Sequence, residues 1–394
     1  MTMQRSTRLE FETLEDRVTP ATLTWLGAVD GLWSHAGNWS TTDPTHPTPH
    51  IGDTVVLPQG AAHKIQTNDL VSSGQITQSN TVALSSITFQ DVGYQILGDP
   101  IDGNIDCTAS PAGMDEIDCN IHFFQVQETV ALASNFELVL GGNVTVDGPI
   151  SEASTTVHVT GPASSVLAVR GAISVVGQAA HLDVASSVQI FGTLSVPGTP
   201  GVTIEPAGSV YVAGLVTVDG NLTLSGGLLL VESGGELFAH GSVQDLGGEI
   251  YTAGVIIVED AGLLYLQGGQ SFLVVAGGGV LYSAGLTEAT QGSQLFIFGT
   301  AQVAAPPAPT NQTLGIYVYD SVVTVESGGA LYAYGTVAIE VDSALYDYGV
   351  LALEPSGYLY NADLVVIEPG GVFYDYGTFA NFGTYYNFGH QIGG

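Results

Sequence analysis

The chain has 394 residues with 5 Lys or Arg against 38 Asp or Glu, so its formal net charge is -33 at pH 7. Hydrophobic residues make up 45% of the chain and charged residues 11%, which excludes disorder caused by high charge and low hydropathy. So few cations cannot neutralise a phosphate backbone, and the composition excludes nucleic-acid binding and disfavours attachment to anionic lipid. The acidic surface attracts cations instead, above all Ca²⁺.

The segment from Met1 to Pro20 stands apart and precedes any repeat. Acidic residues from Glu10 onward interrupt the apolar run that a secretory signal requires. The spacing L-x-x-E-x-L-E-x-R-x-x-P is matched by Leu9, Glu12, Leu14, Glu15, Arg17 and Pro20. This spacing resembles a short N-terminal signature of exported or surface proteins in planctomycete bacteria. The resemblance implies a sorting or anchoring role, and an amphipathic lead-in helix that ends at Pro20 is the alternative.

Residues 21–140 contain all the tryptophans, which are Trp25, Trp33 and Trp39. The surrounding pattern is W-x-G-x-x-D-G-x-W, then N-W, then G-D-T-V, and its other residues here are Gly27, Asp30, Gly31, Asn38, Gly52, Asp53, Thr54 and Val55. This pattern resembles the start of autotransporter-like and related secreted β-helix proteins. The resemblance implies a segment that begins a β-helix and covers its open end. An exposed aromatic platform for sugars is the alternative.

A polar loop within this region holds the densest group of acidic residues. Its alternate spacing is that of a Ca²⁺ loop, but Cys107 and Gly113 stand where an EF-hand needs Gly and Glu. We expect either a Ca²⁺ site of another kind or a plain acidic surface loop. The ligands of such a site would be Asp102, Asn104, Asp106, Asp115, Glu116 and Asp118. The sole cysteines, Cys107 and Cys119, predict a disulfide that closes this loop, with two free thiols as the alternative.

Residues 141–389 consist of short runs of Val, Ile, Leu, Tyr and Phe that alternate with small or polar residues and are separated by Gly-rich turns. In the last part the pattern repeats every 14 residues and divides into two halves of seven, each one strand plus one turn. One such unit cannot bury its own apolar face, so the repeat predicts a solenoid whose stacked coils share a core.

The expected fold is all-β, a right-handed parallel β-helix of the pectin-lyase-like kind with an N-terminal β cap. We expect each coil to consist of three of these strand-and-turn units, with two units per coil as the alternative. The Pro-rich residues 303–313 are expected to loop out of one coil. Residues 390–394 are expected to form a tail after the repeats.

The 14-residue repeat places the same acidic and aromatic residues at fixed intervals. Its acids are Glu326, Glu340, Asp347, Glu354, Glu368 and Asp375. Stacked from coil to coil they would form a ladder of like charge at solvated corners, or one bridged by Ca²⁺. We expect the tyrosines Tyr332, Tyr346, Tyr360 and Tyr374 to fill the core, and Tyr334, Tyr348 and Tyr376 to form an exposed binding surface.

No set of residues in the sequence indicates a particular chemistry. A lyase on this scaffold needs a cationic base, and Arg170 is the sole cation of the repeats, at a strand end where an exposed corner is expected. The histidines His35, His46, His50 and His63 lack the partners of a zinc site and are expected in loops. The sequence has no run of 18 apolar residues, so no transmembrane helix is expected.

We therefore expect a secreted or cell-surface β-helix with a structural or adhesive, non-enzymatic role. Its expected partners are a cell-surface polysaccharide or other surface proteins, and no cofactor is expected other than Ca²⁺. Two alternatives stay open. One is a carbohydrate-active hydrolase or lyase on a β-helix scaffold, because fold alone does not assign function. The other is a Ca²⁺-stabilised extracellular spacer.

Overall fold

The computed structural model describes most of the chain beyond residue 19. The described ranges are 20–41, 44, 47–61, 64–67, 82–123, 127–147, 155–162, 164–176, 180–198, 201–305 and 314–394.

The N-terminal part contains short strands of uneven length and one 3₁₀ helix, Ala36–Asn38. Its strands are β1 Thr22–Trp25, β2 Trp39–Thr41, β3 Thr54–Leu57, β4 Lys64–Gln66, β5 Val82–Phe89, β6 Gln95–Leu97, β7 Ile101–Asp106, β8 Gly113–Ile117, β9 Ile121–Phe123, β10 Gln127–Ala131, β11 Phe136–Leu140 and β12 Val144–Asp147.

The middle part is more regular, and most of its strands have four residues. They are β13 Thr155–Thr160, β14 Val166–Val169, β15 Ala172–Val176, β16 Ala180–Val184, β17 Ser187–Ile190, β18 Thr193–Val196, β19 Gly201–Ile204, β20 Ser209–Val212, β21 Leu215–Val218, β22 Asn221–Leu224, β23 Leu228–Val231, β24 Glu236–Ala239, β25 Ser242–Leu246, β26 Glu249–Thr252, β27 Val255–Val258, β28 Leu263–Gln267, β29 Phe272–Val275, β30 Val280–Ser283, β31 Leu286–Thr290, β32 Gln294–Ile297 and β33 Thr300–Val303.

In the last part every strand has four residues. These strands are β34 Gly315–Val318, β35 Val322–Val325, β36 Ala330–Ala333, β37 Thr336–Ile339, β38 Ala344–Asp347, β39 Val350–Leu353, β40 Tyr358–Asn361, β41 Leu364–Ile367, β42 Val372–Asp375, β43 Thr378–Asn381, β44 Thr384–Asn387 and β45 His390–Gly393.

The strands form a parallel β-solenoid with three strands in each coil. From β10 onward each strand pairs in parallel with the strand three places later, as β36 does with β39. One face is a 15-stranded sheet, and the other two faces are connected as a 30-stranded sheet. The register joins Ala330 to Val350 and Thr336 to Tyr358, so the advance along the chain per coil is close to three strand-and-turn units. The predicted all-β solenoid and its three-unit coil are confirmed.

The core is a continuous column of aliphatic side chains along the solenoid axis. Within a strand such as β36 the second and fourth residues, Leu331 and Ala333, are buried, while the first and third point outward. Because strand side chains alternate, each coil contributes its inward residues to the same column. Fully burying one such Leu or Val stabilises the fold by about 1.5–3 kcal/mol. Stacking is therefore what makes each short strand stable.

One expected boundary differs from the structure. Irregular first coils of the β-helix are expected within residues 21–140, and strand β11 pairs with β14 across residue 140, so the solenoid is continuous there. The expected tail at residues 390–394 is wrong, because it contains β45, which pairs with β42. The backbone hydrogen bonds of the ladder extend the fold to these last residues, although their side chains are exposed.

Corners of two sizes alternate from β35 to β43, and the two corners that follow are both of the smaller size. Strands β35, β36, β37 and β38 begin at Val322, Ala330, Thr336 and Ala344, so a longer interval alternates with a shorter one. The wide corners have four residues that begin with Glu, as in residues 326–329, and the tight corners have two, as in Tyr348 and Gly349. A Cβ on Gly349 would clash with the carbonyl oxygen of Gly329 in the coil beside it. Glycine therefore suits the tight corner because it lets the chains approach.

The 14-residue repeat covers two strands, whereas one coil contains three. Equivalent residues therefore fall on successive faces, and they return to the same face only after three repeats. Glu326 and Glu368, which are three repeats apart in the sequence, are such a pair, and they lie two coils apart on the 15-stranded sheet.

Candidate functional site

The tyrosines of the repeat lie on the outside of the solenoid. Tyr332 is the third residue of β36 and points away from the core, between the buried Leu331 and Ala333. Tyr346, Tyr360 and Tyr374 occupy the same outward position on β38, β40 and β42. The prediction that these four tyrosines fill the core is wrong, because Leu or Phe precedes each one and takes the inward position.

The second set of tyrosines lies at tight corners. Tyr348 and Tyr376 have exposed fractions of 39% and 53%. Tyr334 has the same corner position after β36 and is half-buried. The rings of Tyr374 and Tyr376 stack with centroids 6.1 Å apart, so the two sets join into one outward surface.

Further aromatic residues share this corner position, and sequence reasoning missed them. They are Phe298, Phe382 and Phe388, which are exposed like Tyr376. A signal was present, because an aromatic residue directly before Gly marks each of these tight corners. These phenylalanines do not fall at the 14-residue interval that marks the tyrosines of the tight corners, so that interval alone does not find them.

The predicted ladder of stacked carboxylates is wrong. Glu326 and Glu368 follow β35 and β41, and Tyr348 follows β38 between them. The pKa of the Tyr348 hydroxyl is raised, mainly by partial desolvation and to a smaller extent by the negative charges of Glu368 and Glu326. The carboxylates alternate with aromatic rings because the repeat and the coil have different lengths.

Glu340 and Glu354 lie on the other two corners. The register places Glu340 beside Tyr319, and Glu354 between Tyr334 and Tyr376. Aromatic and acidic residues therefore border each other on all three corners of the last coils.

Asp115, Asp245 and Asp347 lie at inward strand positions, although Asp347 was expected in the ladder. Gly349 donates its N–H to Oδ1 of Asp347 at 3.0 Å, and Gly248 does the same to Asp245 at 2.6 Å. Asp115 accepts the N–H of Tyr94 at 2.8 Å. Within the described part of the chain, Oδ2 of each aspartate has no hydrogen-bond partner. Burial, opposed by these hydrogen bonds, raises the pKa of each carboxyl to about 7.

The three tryptophans are packed together at the N-terminal end of the core. Trp25 and Trp33 each lie edge-on to Trp39 with ring centroids 4.9 Å apart. All three are buried, and β2 pairs antiparallel with the outer edge of β1. The alternative of an exposed platform for sugars is wrong, since no ring face is free.

Polar residues of the same pattern hold this N-terminal segment. Asn38 is fully buried, accepts the N–H groups of Val29 and Asp30, and donates to the Asp30 carboxylate at 2.7 Å and to the carbonyl of Leu32. Asp53 accepts the N–H of Ala21 and of His50, both at 2.7 Å. Asn38 and Asp53 of the N-terminal sequence pattern therefore stabilise the local backbone.

The acidic residues predicted to bind Ca²⁺ do not come together. Asn104 donates to the carbonyl of Ser85, and the carboxylate of Asp106 accepts the N–H and the hydroxyl of Thr108. Asp102 and Asp115 are buried. Glu116 and Asp118 both accept from Nε2 of Gln95, and Glu116 also pairs with Arg170, so these two carboxylates already have donors. Among the described residues, no group of three or more His, Cys, Asp or Glu side chains is placed to hold a metal ion.

Both cysteines are buried free thiols, so the predicted disulfide is wrong. Cys107 follows β7 and Cys119 follows β8, and the five-residue strand β8 runs between them. A strand of that length spans about 16 Å, far more than the Cα separation of about 6 Å in a disulfide. Burial raises the pKa of both thiols.

Arg170 lies at an exposed corner after β14, as the sequence predicts. Its Nη1 is 2.7 Å from Oε1 of Glu116. On another face Asp183 lies between two histidines, 3.1 Å from Nδ1 of His158 and 2.9 Å from Nε2 of His181. Thr203 Oγ1 also lies 2.8 Å from that nitrogen of His181, so these groups already satisfy one another.

Some predictions fall on residues outside the described ranges. These are the signature residues Leu9, Glu12, Leu14, Glu15 and Arg17, the histidines His46 and His63, and residues 306–313 of the Pro-rich segment. No helix within the described ranges has the length and hydropathy needed to cross a lipid bilayer.

Comparison with known proteins does not assign this chain to a family. No family model and no curated protein matches the chain. Among solved structures, this chain is similar to a TibA fragment, residues 55–350, whose hyper-glycosylation was catalysed by TibC. The two chains are 15% identical, and the match covers 87% of this chain and 98% of the TibA fragment. Its TM-score is 0.26. Because that likeness is too weak to carry an argument, the β-solenoid assignment rests on the strand pairing described above.

Proposed function

We propose that this chain is a secreted or cell-surface β-solenoid with an adhesive and structural, non-enzymatic role. The observation that carries the proposal is the set of aromatic side chains exposed on the outer faces of the last coils, of which Phe382 has 75% of its surface exposed. Exposed aromatic residues in regular rows are typical of surfaces that bind a partner. A rod of stacked coils repeats such a surface along its length.

The charge of the chain supports an extracellular role of this kind. A net charge of -33 keeps the rods apart from one another and from anionic lipid. Adhesion would then depend on the aromatic rows, which are apolar, and on the hydrogen-bonding capacity of the neighbouring glutamates.

The alternative of a carbohydrate-active enzyme has less support. A glycoside hydrolase needs two carboxyl groups that face one cleft. The carboxyls with raised pKa, Asp115, Asp245 and Asp347, point into the core from well-separated coils. One open depression is lined by Pro206, Gly226, Gly248 and Gln270, and the acidic side chain that lines it is Glu249.

The test is a binding assay beside a degradation assay. The purified full chain is applied to immobilised bacterial cell material and to a panel of polysaccharides, and retained protein and released reducing sugar are both measured. We expect retention without sugar release. Sugar release that continues with time would favour the enzyme, and the absence of retention on every surface would contradict the adhesive role.

A further inference from the structure

The outer side of the 15-stranded sheet carries aromatic residues in pairs along its last coils. In each pair one ring lies on a strand and the other at the tight corner that follows that strand. The pairs are Phe296 with Phe298, Tyr346 with Tyr348, and Tyr386 with Phe388. We call these six residues the aromatic face. The rings of Tyr386 and Phe388 are nearly parallel and stack on each other, with an interplanar angle of 15° and centroids 6.0 Å apart.

The pairs recur on every second coil. The register runs from Phe296 through Thr324 to Tyr346, and then through Val366 to Tyr386. Parallel strands lie about 4.8 Å apart, so neighbouring pairs are separated by about 10 Å and the whole face is about 19 Å long. A separation of about 10 Å is close to the length of two sugar rings in an extended β-linked chain.

The coils between the pairs shape the surface. Thr324 and Val366 point outward, yet both are buried. Thr324 lies between Phe296 and Tyr346, and Val366 lies between Tyr346 and Tyr386, so aromatic residues border these smaller residues on both sides along the axis. Glu326 and Glu368 occupy the corners of the same coils and provide hydrogen-bond acceptors beside the rings.

Two properties of the face decide which partner fits. The cations of the described chain beyond residue 19, Lys64 and Arg170, lie at β4 and after β14, far along the rod from β32, so an anionic polymer meets only like charge. A peptide strand is also a poor match, because strands β35, β38 and β41 are paired on both sides and a pleated strand repeats about every 7 Å. A neutral sugar chain needs neither cations nor a free strand edge.

We propose that the aromatic face binds one extended, neutral, β-linked polysaccharide chain that runs along the solenoid axis. Alternate sugar rings stack on the aromatic pairs, and hydroxyl groups of the intervening sugars donate to Glu326 and Glu368. This inference rests on the proposed adhesive function and adds the class of ligand and its place on the molecule.

The test measures binding of the full chain to a soluble β-1,4-linked glucan oligosaccharide of about five sugars, because three pairs about 10 Å apart meet the first, third and fifth rings of such a chain. An α-linked glucan and a polygalacturonate serve as comparison ligands. The variants are Phe298→Leu, Tyr348→Leu and Phe388→Leu, which remove a ring and keep apolar volume. Tyr358→Leu on another face is the matched control, since its ring is similarly exposed at 37%.

We expect each variant of the aromatic face to weaken binding about fivefold, while Tyr358→Leu binds like the unaltered chain. Equal affinity for the α-linked glucan, or equal loss in the control, would overturn the inference. So would a concentration-dependent dimer that the face variants abolish, because the face would then bind a second copy. If the chain adheres to cell material and the face variants adhere equally, this inference fails and the proposed function stands. If the unaltered chain adheres to nothing, both fail.

Discussion

At the scale of single residues, glycines at the corners show how closely the coils approach. Gly279 is buried, and a Cβ added there would clash with the carbonyl oxygen of Thr252 in the adjacent coil. Gly277, two residues earlier in the same turn, is exposed and has open space around that position. These two positions separate the effect of close approach from the general effect of replacing a glycine.

We predict that Gly279→Ala lowers the free energy of unfolding by about 2–4 kcal/mol, because the backbone of the adjacent coil must shift. Gly277→Ala is expected to change it by less than about 0.5 kcal/mol. Urea unfolding followed by circular dichroism measures both. Similar losses in the two variants would show that chain stiffness, and not contact with Thr252, makes glycine necessary.

The buried carboxyl of Asp347 makes the stability of the fold depend on pH. Its carboxyl has a pKa of about 7 in the folded chain, raised from 3.8 by burial. Between those pH values the folded chain binds more protons than the unfolded chain, so this group makes stability fall as pH rises from about 4 to about 7. Asp347→Asn removes that ionisation.

We expect Asp347→Asn to raise the free energy of unfolding by roughly 1–3 kcal/mol at pH 8 and to change it little at pH 4, where both side chains are neutral. Thermal melts across this pH range are the measurement. Asp342→Asn, in an exposed turn of the same coil, is the control and should show no such difference. A gain that is equal at both pH values would argue against burial of the charge as its cause.

At the scale of elements, the N-terminal segment depends on one polar side chain. Asn38 makes hydrogen bonds with Val29, Asp30 and Leu32 while it is fully buried. We predict that Asn38→Ala lowers the stability of this segment by about 2–4 kcal/mol, because the N–H groups of Val29 and Asp30 lose their acceptor.

Tryptophan fluorescence reports on this segment alone, because all three tryptophans lie in it. In urea, the fluorescence transition of Asn38→Ala should shift to lower concentration, while the circular dichroism of the later coils shifts less, since each coil contacts only its neighbours. Ser40→Ala, on the exposed side of β2, is the control. Fluorescence and dichroism transitions that move together by the same amount would contradict local unfolding.

The same elements show what the sequence could and could not reveal. Short apolar runs between Gly-rich turns were sufficient to predict strands and parallel stacking, because burial of a period-two pattern allows few other solutions. Three strands per coil was the favoured prediction, but the pattern alone also allowed two. The side chains that share a face were not predictable from the 14-residue interval alone. Tyr332 was misplaced because Leu331 before it takes the inward position of β36. Glu340 does not stack on Glu326 because the repeat covers two strands whereas the coil contains three.

The sequence pattern also did not predict which polar residues are buried or which cysteines are close in space. Asp347 stands one residue before Tyr348 and looks like another exposed acid of the repeat, but it takes the inward position of β38. Cys107 and Cys119 are close in sequence, yet the strand β8 keeps them apart. In both cases the strand, and not the local composition, sets the direction of the side chain.

At the scale of the whole molecule, the net charge of -33 is a source of self-repulsion. We predict that raising NaCl from about 10 mM to about 500 mM increases the melting temperature by several degrees, because salt screens repulsion between exposed carboxylates. CaCl₂ at matched ionic strength tests the Ca²⁺-stabilised spacer. If the melting temperature rises further in CaCl₂ and chelation reverses that rise, a specific Ca²⁺ site is indicated. If the melting temperature does not rise in NaCl, the predicted charge repulsion is contradicted.

The different lengths of the repeat and the coil also affect how such a rod can grow. A coil consists of three strand-and-turn units and the repeat consists of two, so both are built from whole units. Duplication of one repeat in the gene would advance every later strand by two thirds of a revolution, and each strand would still meet neighbours of the same pattern. Two-residue corners follow one another after β42, β43 and β44, so the coil also accepts corners of equal size in succession. The rod can therefore lengthen in steps smaller than one revolution.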